Sequence, residues 1–250
     1  MIYRQVKEQS ISKRKKSMIK VVAFDADDTL WKNEVLYKQA EQRFEDLMRE
    51  AGYNGSAVDV LNKVEKRNVP VYGFGIKSFT LSMIEAALVI GDGRCKPGWI
   101  HSVLDFSKEI LTSDIELLPH TINTLEMLSR NYSLILITKG ELSEQERKIE
   151  VTGVAKYFDH IEILGSKHEE AYRSVLRKHN ISPETFVMVG NSLRSDILPV
   201  LSLGAHGVYV PHETTWIYEQ VSEDDIGDAG YVKIDHLGLL PDLLQNIGTH

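Results

Sequence analysis

Cysteine is nearly missing from this chain: Cys95 is the sole one in 250 residues, which excludes an intrachain disulfide and a cysteine-based zinc site. Long apolar runs are missing as well. No stretch approaches the roughly 18 consecutive apolar residues of a membrane span, and no N-terminal apolar segment marks secretion, so a cytoplasmic protein without a membrane partner is expected. The 7 prolines and 17 glycines are too few for a collagen-like or low-complexity chain. None of the 9 histidines pairs at a zinc spacing, and there is neither a Gly-x-Ser-x-Gly elbow nor a Gly-x-x-x-x-Gly-Lys loop. Gly73-Phe74-Gly75 lacks both the preceding strand and the third glycine of a dinucleotide site.

Basic residues are scarce outside the N-terminus. Residues 1–20 hold seven Lys or Arg against one Glu, leaving 22 basic and 35 acidic residues, a net −13, in the other 230. An acidic body does not suit a polyanion, so no nucleic-acid partner is expected. Residues 1–18 read as a basic, flexible extension with too little apolar content to be held by a core.

What is present is an α/β rhythm. Val21-Val22-Ala23-Phe24 is a short apolar run that reads as a buried strand. Similar runs fall at 134–138, 161–164, 186–189 and 207–210, with helical patterning over about 142–151, 169–179 and 193–203. Residues 231–234 add an edge strand before a closing helix over about 236–247. Strand alternating with helix predicts a doubly wound, Rossmann-like parallel sheet. The stretch from Trp31 to about Leu118 breaks the rhythm with four helical segments, over about 34–51, 57–67, 76–90 and 98–111. The expected organisation is an α/β core of residues 19–32 and 116–250 carrying a small all-helical cap, 33–115.

Ligands of a parallel sheet sit beyond the carboxyl ends of its strands. The first strand ends in Asp25-Ala26-Asp27-Asp28-Thr29, the second in Thr138-Lys139-Gly140, the third is followed by Lys167, and the fourth by Gly190-Asn191-Ser192-Leu193-Arg194-Ser195-Asp196. Paired carboxylates suit a divalent cation, or a nucleophile beside an acid/base. A hydroxyl, following backbone amides and a lysine suit an anion. Asp28 reads as a turn-stabilising residue.

These four ordered segments, over about residues 19–211, resemble the haloacid dehalogenase-like superfamily, and specifically its phosphatases with a helical cap between the first two motifs. The resemblance implies Asp25 as nucleophile and Asp27 as general acid/base that also gives its backbone carbonyl to Mg²⁺. It implies Thr138, Lys139 and Lys167 around a phosphate, and Asn191 and Asp196 completing the metal site with Asp25 and Asp27. The family's last loop commonly begins Gly-Asp, whereas this chain has Gly190-Asn191; an amide oxygen ligates a hard cation without bringing charge.

The expected activity is Mg²⁺-dependent hydrolysis of a small phosphorylated metabolite through an aspartyl-phosphate. The alternatives are a metal-free dehalogenase, against which Asp27 speaks because such enzymes lack an acid there, and a non-catalytic phosphate-binding regulator. Specificity is expected in the cap, with Tyr72, Phe74 and Lys77 as candidates and His212 and Trp216 overhanging the site. The sequence identifies neither the substrate nor the oligomeric state.

Overall fold

The computed structural model describes residues 18–213, 216, 219, 221 and 230–248. All of the expected basic extension except Met18 therefore lies outside the described residues. Six parallel strands form one sheet in the order β3-β2-β1-β4-β5-β6: β1 Val21–Phe24, β2 Ser133–Lys139, β3 His160–Leu164, β4 Phe186–Gly190, β5 His206–Tyr209 and β6 Val232–Lys233. Val22, Ala23 and Phe24 are wholly buried because β1 is central and both its faces are covered. On one face Phe24, Leu134, Leu136 and Val189 pack with Leu125 of α5 (Thr121–Leu128), Ile149 of α6 (Leu142–Thr152) and Leu244 of α9 (Leu240–Gly248). On the other, Ala23, Ile135 and Met188 pack with Tyr172 and Leu176 of α7 (Glu169–Lys178) and Val200 of α8 (Leu198–Leu201). The even strand periodicity thus feeds two separate cores.

Between β1 and β2 stand α1 (Glu34–Glu50), α2 (Ala57–Tyr72), α3 (Ile76–Gly91) and α4 (Pro97–Thr112). They have a core of their own, built on Phe44, Met48, Leu61, Phe79, Met83 and Val103. Two segments lead in and out side by side: Leu118 N–H donates to Leu30 O and Lys32 N–H to Glu116 O, both at 2.9 Å.

Five elements differ from the sequence expectations. Helix α2 runs through Val69-Pro70 to Tyr72, where an interruption was expected; Pro70 lies in the last turn, and the helix closes there by a Gly73 N–H bond to Val69 O at 2.9 Å. Helix α5 was not anticipated at all. The expected helix over 193–203 is split into a wide π-type turn, Leu193–Ile197, and the short α8. The edge strand is shortened to two residues, and the closing helix begins at Leu240 after a 3₁₀ turn over Leu237–Leu239.

Candidate active site

The strand order reverses between β1 and its neighbours β2 and β4, so the turns after these strands open a crevice. Asp25 continues β1, its N–H donating to Val189 O of β4 at 2.9 Å. The chain then turns tightly, with Leu30 N–H on Ala26 O at 2.8 Å and Asp28 in the left-handed region at φ 60°. Asp28 also lines the cavity, but its carboxylate accepts from Asn33 N–H (2.9 Å) and from Glu34 N–H (3.0 Å) and so caps α1.

The turn separates two carboxylates into different surroundings. Asp25 accepts from Thr29 Oγ1 at 3.0 Å and pairs with Lys167. Burial, with Asp196 and Asp27 nearby, outweighs Lys167 and lifts its carboxyl to about 7. Asp27 is partly buried, its side chain 23% exposed, yet its carboxyl is held below the ordinary range. The causes that overcome burial are the Lys148 ammonium at 3.0 Å and hydrogen bonds from Gln145 Nε2 (2.8 Å) and Trp31 Nε1 (2.7 Å). Lys148 is itself buried and also touches Glu144 Oε1 (3.0 Å) and Asn33 Oδ1 (2.8 Å).

The loop after β4 is shaped by contact. A methyl on Gly190 would overlap the Asp196 carboxylate, so the bare glycine lets the π-type turn fold back over the strand end. Asp196 Oδ2 accepts from Ser192 N–H at 3.0 Å, while Oδ1 takes Lys167 Nζ at 2.8 Å. Lys167 therefore joins two carboxylates from different loops, and they hold its ammonium well above the usual lysine range despite burial. Asn191 lies beside them, its Oδ1 3.3 Å from Thr29 Oγ1 and its N–H donating to the same oxygen at 3.1 Å.

One cavity of about 140 Å³ is lined by Asp25, Asp27, Thr138, Lys139, Lys167 and Asn191 among others. Asp196 also lines it. Thr138 Oγ1 is buried in its wall without a hydrogen-bond partner. Lys139 Nζ pairs with Glu219, donates to Ser195 Oγ at 3.0 Å and lies 4.7 Å from the Phe74 ring centre. The oxygen donors Asp25, Asn191 and Asp196, with the carbonyl group of Asp27 available from the backbone, suit a hard divalent cation. Two carboxylates and an amide make that set, and no group of three or more His, Cys, Asp or Glu is placed to hold a metal among the described residues. The Asp27 side chain is fully engaged by nitrogen donors, and both Asp196 oxygens already accept hydrogen bonds.

Of the cap residues expected to face substrate, Phe74 lines the cavity, packed edge-on against Trp216 with centroids 5.8 Å apart. Tyr72 and Lys77 do not line it, a correction with a simple cause. Tyr72 ends α2 on its exposed side, and Lys77 pairs with Glu141 at 3.2 Å, bridging cap to core. His212 lies 3.7 Å from Asp28 rather than over the cavity, whereas Trp216 does line it. Sequence reasoning missed Lys148, Gln145 and Trp31 around Asp27, and Glu219 opposite Lys139. It also missed Glu144, which accepts from Ile76 N–H at 3.0 Å and holds the start of α3 over the core.

A six-stranded parallel sheet thus gathers acidic, hydroxyl and lysine side chains at its carboxyl edge, an α/β arrangement that suits a cation and an anionic ligand side by side. The family model for haloacid dehalogenase-like hydrolases matches residues 19–204. The chain belongs to that family. The glyceraldehyde 3-phosphate phosphatase of Methanocaldococcus jannaschii is 28% identical over 239 residues, 92% of this chain and 99% of that protein. The N-acylneuraminate-9-phosphatase of Mus musculus is 33% identical, over 37% of each chain. A haloacid dehalogenase-like family hydrolase from Xanthomonas campestris superposes with a TM-score of 0.82 at 33% identity, covering 95% of both chains. These likenesses place the chain among the family's phosphatases, the phosphoric monoester hydrolases.

Proposed function

We propose that the enzyme hydrolyses the monoester of a small phosphorylated metabolite through an aspartyl-phosphate on Asp25, with Mg²⁺ as cofactor. The observation that carries the reading is the buried, partnerless Thr138 hydroxyl facing the cavity that Asp25 and Lys167 also line. A buried polar group of this kind calls for a ligand atom, and beside a buried ammonium that atom is anionic.

Asp25 Oδ attacks phosphorus, the ester P–O bond breaks, and phosphate is transferred to the carboxylate. Lys167 draws the phosphate charge toward the nucleophile, and Thr138 Oγ1 donates to a non-bridging oxygen. The departing oxygen takes a proton through Asp27, a proton that the phosphomonoester monoanion brings to the Asp27 carboxylate on binding; water then attacks the acyl-phosphate, giving its proton to Asp27. Asp27 as found is an ionised acceptor, the form required for the second step. Asp25, Asn191, Asp196 and the Asp27 backbone carbonyl would hold Mg²⁺. When bound, the ion supplies charge neutralisation of the phosphate.

Asp25→Asn removes the nucleophile with almost no change in volume. Turnover of 4-nitrophenyl phosphate is expected to fall at least 10³-fold while the melting temperature is retained, and a phospho-enzyme is expected by mass spectrometry in wild type but not in the variant. Wild-type rates in Asp25→Asn refute the assignment. Glyceraldehyde 3-phosphate heads the metabolite panel, since the archaeal relative is named for it.

A further inference from the structure

The cavity does not end at the phosphate. Its far wall is formed by the cap, where Glu34 and Glu41 of α1, Glu65 of α2 and Ser78 of α3 all line it and all are buried. Lys38 faces this group, 2.7 Å from Glu41 and 3.7 Å from Glu34, and is itself 43% exposed in its side chain. Three carboxylates thus stand against one half-solvated ammonium. Three buried oxygens in this wall accept or donate no hydrogen bond: Glu34 Oε1, Glu65 Oε2 and Ser78 Oγ, with Ser78 only 5% exposed. Buried carboxyl and hydroxyl oxygens without a hydrogen bond are costly, and the cost is removed when a ligand donates to them.

The two ends of the cavity therefore differ. Lys167 and Lys139 stand among the acids of the phosphate end, whereas no ammonium of the described residues lines the cap end, where Lys38 meets Glu34 and Glu41 from its half-exposed position. A neutral hydroxyl would supply a hydrogen bond to the roof but no charge, whereas an ammonium supplies donors together with the countercharge that lets buried carboxyls ionise. Resting on the phosphatase reading, we infer that the preferred substrates are phosphomonoesters carrying an ammonium group at the end remote from phosphorus, received by Glu34, Glu41, Glu65 and Ser78. Burial already lifts the Glu34 carboxyl to about 8 and that of Glu65 to about 7, so the roof holds protons that an arriving ammonium displaces. The archaeal relative is named for an aldehyde phosphate without such a group; the inference concerns this chain's own roof.

The test uses ω-aminoalkyl phosphates of two to six carbons, with alkyl and ω-hydroxyalkyl phosphates of the same lengths, on the full chain with Mg²⁺. At the best-fitting length the aminoalkyl ester is expected to exceed both partners at least tenfold in kcat/KM, chiefly through KM. In Glu65→Gln and in Ser78→Ala that ratio is expected to shrink severalfold; being a ratio within one preparation, it is independent of the folded fraction. Calorimetry with the corresponding phosphonates, in two buffers of different ionisation enthalpy, should show proton release on binding the amino compound alone. Equal or better use of the alkyl or hydroxyalkyl esters at every length overturns the inference while leaving the phosphatase reading intact. So does a preference undiminished in both variants. Failure to hydrolyse any ester, 4-nitrophenyl phosphate included, refutes the phosphatase reading instead, and the phosphonate binding then decides the inference alone.

Discussion

The acidic roof makes a quantitative demand on stability. Glu34 and Glu65 ordinarily titrate at 4.5, and burial raises them to about 8 and about 7; Lys38 opposes the shift, while Glu41 adds to it at both positions and Asp28 at Glu34. The native state then binds more protons than the unfolded chain between pH 4.5 and the raised values, so stability falls as pH climbs through that window. Each unit corresponds to about 1.4 kcal/mol, giving upper bounds of about 5 kcal/mol for Glu34 and about 3 for Glu65. Relaxation and water entry reduce such figures, and on the order of 1–2 kcal/mol is the realistic size. Glutamine mimics the protonated acid. Glu65→Gln should therefore melt with wild type at pH 5 and about 2–8 °C above it at pH 8.5, at 2–4 °C per kcal/mol for a chain of this size. Because the two carboxylates repel each other, the Glu34→Gln/Glu65→Gln double variant should gain less than the sum of the singles. The assay is thermal unfolding by circular dichroism across pH 5 to 8.5 without substrate. A gain that is absent at pH 8.5, or equal at both ends of the range, refutes the argument.

Two further outcomes are expected at the phosphate end. Lys167→Met strands the buried carboxylates of Asp25 and Asp196, and breaking such a pair costs about 3–5 kcal/mol; a melting temperature in EDTA unchanged from wild type would show that the lysine does not hold these loops together. Asn191→Asp adds a charge at the proposed Mg²⁺ position, and a gain on the order of 1 kcal/mol lowers the half-saturating Mg²⁺ concentration about fivefold. An unmoved midpoint in a Mg²⁺ titration of activity removes this loop from the metal.

The sheet was legible because each central strand is buried on both faces and so appears as an unbroken apolar run, as in Val21–Phe24 and Phe186–Gly190. The site was legible where a side chain sits at a strand end, since topology alone brings Asp25, Thr138 and Asn191 to one edge. Residues that reach the site from within a helix were not. Lys148 and Gln145 lie in α6 among Glu141, Glu144, Glu146 and Arg147, a run that reads as a solvated face, and only tertiary packing buries them against Asp27. Glu34, Glu41 and Glu65 escaped for the same reason: helical spacing does not say that a charged face has been turned inward. Tyr72 and Lys77 misled in the opposite sense, because an aromatic and a cation beside flexible glycines resemble a substrate-facing loop whether or not they point into it.

The position of the cap is tied to the state of Asp27 by a short run of contacts. Glu144 accepts from Ile76 N–H at the start of α3, and Gly75, at φ 112°, brings the backbone close enough that a side chain there would meet Glu144. The same carboxylate pairs with Lys148, and Lys148 with Asp27. Glu144 thus holds the backbone N–H at the start of α3 with one oxygen and the Lys148 ammonium with the other, and that ammonium is shared between two carboxylates. Gly75, Glu144 and Asp27 all line the cavity. The α6 pair at positions 144 and 148 therefore links the first residue of α3 to the carboxylate whose protonation the proposed reaction uses twice.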